Sequence, residues 1–141
     1  MKRGQISIEF IAIFGFVFLM TIPLIIIFFD QAGSVQDAIS ENQIRNIAIK
    51  ITDKAEAIYY SGYPSKTTIK AYFPEKIDSV NITSRTIIFN YRTAENLLHS
   101  IQSVSLINIT GNISAEPGIH YIQLEAYNEA GGGGGVSISE T

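Results

Sequence analysis

The feature that most constrains this chain is an uncharged apolar run near its start, Phe10 to Phe29, bounded by Glu9 and Asp30. Twenty residues at about 1.5 Å each make a helix of roughly 30 Å, the thickness of a bilayer's hydrocarbon core. Lys2 and Arg3 precede the run and are the only charges before Glu9. Basic residues flanking an apolar run favour the cytoplasmic side, which predicts N-terminus in and C-terminus out. One reading is an ordinary secretory signal, because Ala32-Gly33-Ser34 offers small residues to a signal peptidase. Against it, the run is about twice as long as the usual 7–15-residue apolar core of such signals. Another reading is a simple uncleaved anchor.

Pro23 interrupts the run. It has no N–H, so the Leu19 carbonyl loses its helix partner, and the ring crowds that turn. Membrane helices tolerate this where nearby groups re-satisfy the backbone, and Thr21 is a candidate. The result is either a harmless kink or a point where the helix bends or locally melts. Phe10, Phe14 and Phe18 recur every four residues and form one aromatic stripe, with Ala12 and Gly15 as a smaller surface beside it.

After Asp30 the helical period continues with polar residues interleaved. Val35, Ile39, Ile44, Ile47, Ile51, Ala55 and Ile58 lie three to five apart, which predicts an amphipathic helix with one apolar face. Gly33-Ser34 loosens it without ending it, and Ser61-Gly62-Tyr63-Pro64 supplies the stop. From Thr67 the period changes to two. Strands are expected over Thr67–Phe73, Ile77–Thr83, Arg85–Tyr91, Val104–Thr110 and Ile119–Tyr127, with a helical turn or loop at Thr93–Ser100. Five glycines, 131 to 135, read as a flexible connector before a short edge strand at Val136–Ile138. The expected fold is α+β: a long helix whose apolar stripe covers one face of a four- or five-stranded antiparallel sheet. A head of about 80 residues has a small core, and a helix laid on the sheet is the obvious remedy.

Composition excludes several classes. The net charge of −3 is spread without a basic patch, which argues against nucleic acid as a partner. Cysteine is absent, so there are no disulfides and no thiolate metal sites. His99 and His120 are isolated, Asp78 and Glu125 have no visible acid/base partner, and nothing pairs a nucleophile with a base. The glycine run lacks the Lys-Ser/Thr of a phosphate loop. The expectation is a protein without a cofactor or metal, and not an enzyme.

The residues around the basic pair add a resemblance. Lys2-Arg3-Gly4 followed by Gln5-Ile6-Ser7-Ile8-Glu9-Phe10 resembles the class III signal of archaeal prepilins, a basic residue and glycine followed by Q-x-S-x-E-F. Gln5, Ser7, Glu9 and Phe10 match its fixed positions. The resemblance implies a type IV pilin-like lollipop: a cleaved signal over 1–4, a transmembrane and polymerisation helix over 5–30, its amphipathic continuation over 31–63, and a β-rich extracellular head over 64–141. It implies cleavage between Gly4 and Gln5 by a membrane-embedded prepilin peptidase, with Lys2, Arg3, Gly4 and Gln5 as the processing site. The chain is then the enzyme's substrate. Its partners are copies of itself or related pilins, the peptidase, the pilus assembly machinery, and the membrane before assembly. Ser7, Glu9, Phe10 and Pro23 are the assembly and registration residues. In type IV pilins the glutamate matching Glu9 is thought to meet a neighbour's N-terminal amine, here that of Gln5, unless Gln5 cyclises and loses that charge. A membrane-anchored binding domain that never polymerises is an alternative, as is an archaellum subunit, although that family's signal is patterned differently.

Three sequons fit N-x-[ST]: Asn81-Ile82-Thr83, Asn108-Ile109-Thr110 and Asn112-Ile113-Ser114. All fall in the expected head. Archaeal surface filaments are often N-glycosylated, so the resemblance points to these three asparagines as glycosylation sites. Asn112, beside Gly111, looks most accessible, whereas Asn81 and Asn108 sit in expected strands and need outward-facing side chains.

Overall fold

The computed structural model describes residues 3–128 and 133–141, with side chains from Ser7 onward. The described elements are α1 (Arg3–Ser61), β1 (Lys66–Phe73), β2 (Ile77–Thr83), β3 (Thr86–Arg92), β4 (Leu98–Val104), β5 (Asn108–Gly111), β6 (Gly118–Asn128) and β7 (Gly134–Glu140). The chain forms two compact units that divide between Gln36 and Asp37. α1 contributes to both.

The described residues of the first unit are all helical. Every residue from Ser7 to Ala32 is exposed. By length and composition this helix is long and apolar enough to cross a membrane. Pro23 lies inside α1 without ending it. The Thr21 hydroxyl does not turn to Leu19 as expected; it donates to the Val17 carbonyl at 2.7 Å. That is the back-bond open to any helical threonine, and the shorter reach wins. The aromatic stripe forms, with ring centroids 4.5 Å apart for Phe10–Phe14 and 6.4 Å for Phe14–Phe18. The helix runs through Gly33 and Ser34, and the Ser34 hydroxyl donates to the Gln31 carbonyl.

The second unit packs α1 from Asp37 onward with two sheets. One has the order β1-β6-β7-β5 and the other β2-β3-β4. The expected single antiparallel sheet is therefore corrected to two, and β5 runs parallel to β7. The expected strand Val104–Thr110 hides the division. Val104 ends β4, Asn108 begins β5, and the chain changes sheets between them. Alternation continues across the gap, with Ser105, Ile107 and Ile109 buried and Val104, Leu106 and Asn108 exposed, so the period of two gives no warning. Glu56 holds the crossing: one of its carboxylate oxygens accepts from the Ser105 hydroxyl at 3.0 Å and from the Leu106 N–H at 2.9 Å. Thr93–Leu97 is the turn that the sequence suggests, but Leu98–Ser100 already belongs to β4.

One apolar core joins the three layers. The helix contributes Ile44, Ile47, Ala48, Ile51 and Ala55. The four-stranded sheet contributes Ile69, Phe73, Ile109, Ile122, Leu124, Val136 and Ile138, and the three-stranded sheet Ile77, Val80, Ile87, Phe89, Tyr91 and Ile101. Phe73 and Phe89 meet edge to face at 5.7 Å across the layers. Polar bonds tie the helix to both sheets. Lys50 Nζ donates to the Lys70 carbonyl on β1, and the Thr52 and Ser103 hydroxyls lie 2.8 Å apart. Val35 and Ile39, expected on the packed face, are exposed. The packed stripe is shifted and runs through Ser40, Ile44, Ile47, Ala48, Ile51, Thr52 and Ala55. α1 ends as the sequence predicts, at Ser61, with Gly62 at φ +79° and its N–H donated to the Tyr59 carbonyl.

The glycine run departs most from expectation. Residues 131 and 132 lie outside the described residues, but Gly134 and Gly135 are the first residues of β7, and β7 is an interior strand rather than an edge. Gly135 sits between Asn128's neighbour Tyr127 on β6 and Asn108 on β5. A Cβ there would fall 2.6 Å from the Asn108 carbonyl oxygen and 2.8 Å from the Tyr127 hydroxyl, so glycine is required by close approach.

Replacing Glu56 by Ala leaves the buried Ser105 hydroxyl and the Leu106 N–H without their acceptor. The expected cost is about 1–3 kcal/mol of stability, read as a lower thermal midpoint in detergent micelles. An unchanged midpoint contradicts the role given to Glu56.

Candidate functional site

The residues of the signal-like motif occupy the start of α1. Lys2 lies outside the described residues, and so do the side chains of Arg3 and Gln5; Arg3, Gly4 and Gln5 are helical in backbone. Ser7, Glu9 and Phe10 are exposed on the first turns. Residues 5 and 9 are one turn apart and share a face of the helix. Glu9 forms no ion pair with any described residue. A carboxylate at the rim of an apolar surface is costly to bury unless something supplies a cation or hydrogen bonds. Phe10 opens the aromatic stripe, and Pro23 lies farther along the same exposed rod.

All three sequon asparagines are exposed, each on the second unit. Asn81 points away from the core on β2, opposite buried Val80. Asn108 lies outward on β5, with a long 3.5 Å contact from Arg85 Nε to its Oδ1. Asn112 follows β5, its backbone anchored by donation to the Ile138 carbonyl. The outward orientation that Asn81 and Asn108 need is present. Of the three sequon hydroxyl residues, Thr83 and Thr110 are exposed, while the Ser114 hydroxyl accepts from the Glu116 N–H.

Sequence reasoning missed a cluster of charges on the second unit. Asp37, Glu41 and Arg45 descend one face of α1 at four-residue spacing. Asp37 pairs with Lys76, and both its carboxylate oxygens accept from the Ala94 N–H at 3.0 Å. The Lys76 hydrogen bond, followed by the Ala94 amide, holds the Asp37 carboxyl below its ordinary value of 3.8. Glu41 pairs with Arg45 at 2.9 Å. Tyr91, on β3, is pushed up by burial first and then by the charge and hydrogen bond of Glu41. The group joins the helix to the segment before β2, to β3 and to the 93–97 turn. Each carboxylate is already paired, so the arrangement clasps and offers no free base. The four-residue spacing on α1 was visible in the sequence; its partners, 39 and 57 residues away, were not.

Two residues taken as isolated have partners. His120 is buried, with Nδ1 at 2.5 Å from Glu140 and Nε2 at 2.6 Å from the Glu116 carbonyl, and its ring stacks on Phe73 at 4.2 Å. Asp78 pairs with Arg92 at 2.9 Å. Antiparallel pairing of β2 with β3 and of β6 with β7 brings these partners together, 14 and 20 positions apart in the chain. Among the described residues no three His, Cys, Asp or Glu side chains are grouped to hold a metal.

Compared with known proteins, the chain matches no family model, no curated protein and no solved structure.

The Asp37 clasp sets a pH signature. A carboxyl lowered in the folded state adds stability above its unfolded value of 3.8, and that contribution is lost as the pH falls through the lower folded value. Asp37→Asn is expected to melt below the wild type at pH 7, with the difference shrinking as the buffer is acidified below about pH 4. A difference independent of pH contradicts the assignment.

Proposed function

We propose that this chain is the precursor of a structural subunit of an extracellular type IV pilus-like filament. The observation that carries the reading is the motif Lys2 to Phe10 at the start of a helix whose apolar side chains, from Ile8 to Phe29, are all exposed. Such a surface must be covered by something, and lipid and identical helices are equally apolar covers. Before processing, the helix resides in the cytoplasmic membrane with its N-terminus inside and the β-rich unit outside. A prepilin peptidase then cuts between Gly4 and Gln5. Removing Lys2 and Arg3 leaves eight basic against 13 acidic residues, a net of −5 in place of −3. It also removes the charges that tether the helix to the cytoplasmic face.

In the filament the helices pack on one another, and a contact repeated without closure grows as a fibre. Glu9, unpaired among the described residues, meets the Gln5 amine of a neighbour and sets the stagger. The β-rich unit faces solvent, displays the three sequons and serves surface adhesion. The role is structural rather than catalytic.

N-terminal sequencing of sheared surface filaments tests this reading. The mature chain is expected to begin at Gln5 or its cyclised form. A chain beginning at Val35 supports a cleaved secretory signal instead, and one keeping Met1 in the membrane supports a simple anchor. The intact mass of the same material is expected to exceed that of the bare chain. Substitution of Asn81, Asn108 and Asn112 together by Gln is expected to remove the excess.

A further inference from the structure

Four of the seven tyrosines line a single cleft of about 510 Å³ at the end of the second unit. Tyr59, Tyr60 and Tyr63 come from the last turn of α1 and the segment after it, and Tyr127 and Asn128 from the end of β6. Gly134, at the start of β7, completes the wall; a Cβ there would touch the Tyr59 ring at 3.5 Å and Asn128 Oδ1 at 3.1 Å. The rings of Tyr59 and Tyr60 meet edge to face at 5.6 Å, which turns their faces in different directions. Tyr60 is 71% exposed and Tyr63 66%, a large aromatic area left uncovered. Tyr60 and Tyr63 stand outside the buried core.

The lining selects its ligand by what it lacks as well as by what it has. None of its described lining residues is charged. Among the described lining residues Ala126 carries the one aliphatic side chain, a poor pocket for a peptide's anchoring residue. What remains is broad tyrosine faces edged with phenol hydroxyls and a carboxamide. Tyrosine offers rigid amphipathic area at small entropic cost, and asparagine and glycine add adaptable hydrogen bonding. A pyranose ring is the complement: its C–H face lies on an aromatic ring while its hydroxyls bond the rim. The volume falls within the range of small-ligand clefts. We propose that this cleft binds a neutral oligosaccharide, with Tyr60 and Tyr63 as stacking platforms and Asn128 as a hydrogen-bonding residue.

The full-length chain in dodecylphosphocholine, a detergent without a sugar, is the sample for the test. Saturation-transfer NMR is recorded with maltotriose, mannotriose and tri-N-acetylchitotriose, and with sialyllactose as an anionic probe. Transfer to the ring C–H protons of at least one neutral trisaccharide is expected. Tyr60→Ala and Tyr63→Ala, made separately, are each expected to weaken binding about three- to tenfold, the worth of one aromatic contact. Tyr72→Ala removes an exposed tyrosine outside the cleft and is expected to change nothing. The proposal is overturned if no neutral sugar shows transfer, if sialyllactose alone does, or if the cleft variants bind like wild type. It is also overturned if tyrosine resonances of the cleft respond only to protein concentration, which marks the cleft as a contact between chains. None of these outcomes depends on where the mature chain begins, so filament formation and sugar binding stand or fall separately.

Discussion

The second unit depends on one helical stripe that serves two sheets at once. A three-stranded and a four-stranded sheet each have a face to bury, and neither is large enough to fold back on itself. Ile44, Ile47, Ala48, Ile51 and Ala55 give both sheets a common wall. Each buried isoleucine is worth about 1.5–3 kcal/mol relative to exposure, so the helix supplies a large share of a small core. Its polar positions follow from that geometry. Lys50 reaches a carbonyl of one sheet and Thr52 a hydroxyl of the other, because the stripe's two margins face different partners.

The charged residues along the same helix solve a second problem, how loops are held without disulfides. Asp37 fastens Lys76 and the Ala94 amide, and Glu56 fastens the crossing at Ser105 and Leu106. His120 and Glu140 do the same for the C-terminal strand, with Glu140 also accepting from the Ser114 N–H. These are sites where backbone amides between strands need acceptors, and side chains from a rigid element supply them. Each of these carboxylates is thereby engaged in holding a loop or a strand.

The first unit poses the opposite problem. Its apolar side chains are left exposed by the described residues, and Glu9 sits at their edge without a described partner. In water this surface is a strong drive toward lipid or toward other copies. The filament reading uses that drive in sequence, first lipid and then neighbouring helices.

Several elements were legible from residues alone. The apolar run, the change of period at Thr67, the end of α1 at Gly62 and the strand Ile77–Thr83 all rest on local patterns that packing did not override. The motif ahead of Phe10 is likewise purely a matter of sequence, and it carries the functional reading. Where the tertiary structure decided, the reason was partners distant in the chain. Unbroken alternation over Val104–Thr110 concealed a change of sheet that Glu56 fixes from the helix. Glycines that read as a connector became an interior strand because Asn108 and Tyr127 leave no room for a side chain at Gly135. Ile39 stays exposed because it lies five residues before Ile44, about 140° around the helix, so the packed stripe runs through Ser40 instead; Val35, one turn earlier on the same side as Ile39, is exposed as well. The tyrosine cleft, too, needed the fold, because its residues come from segments more than sixty positions apart that only β-pairing brings together.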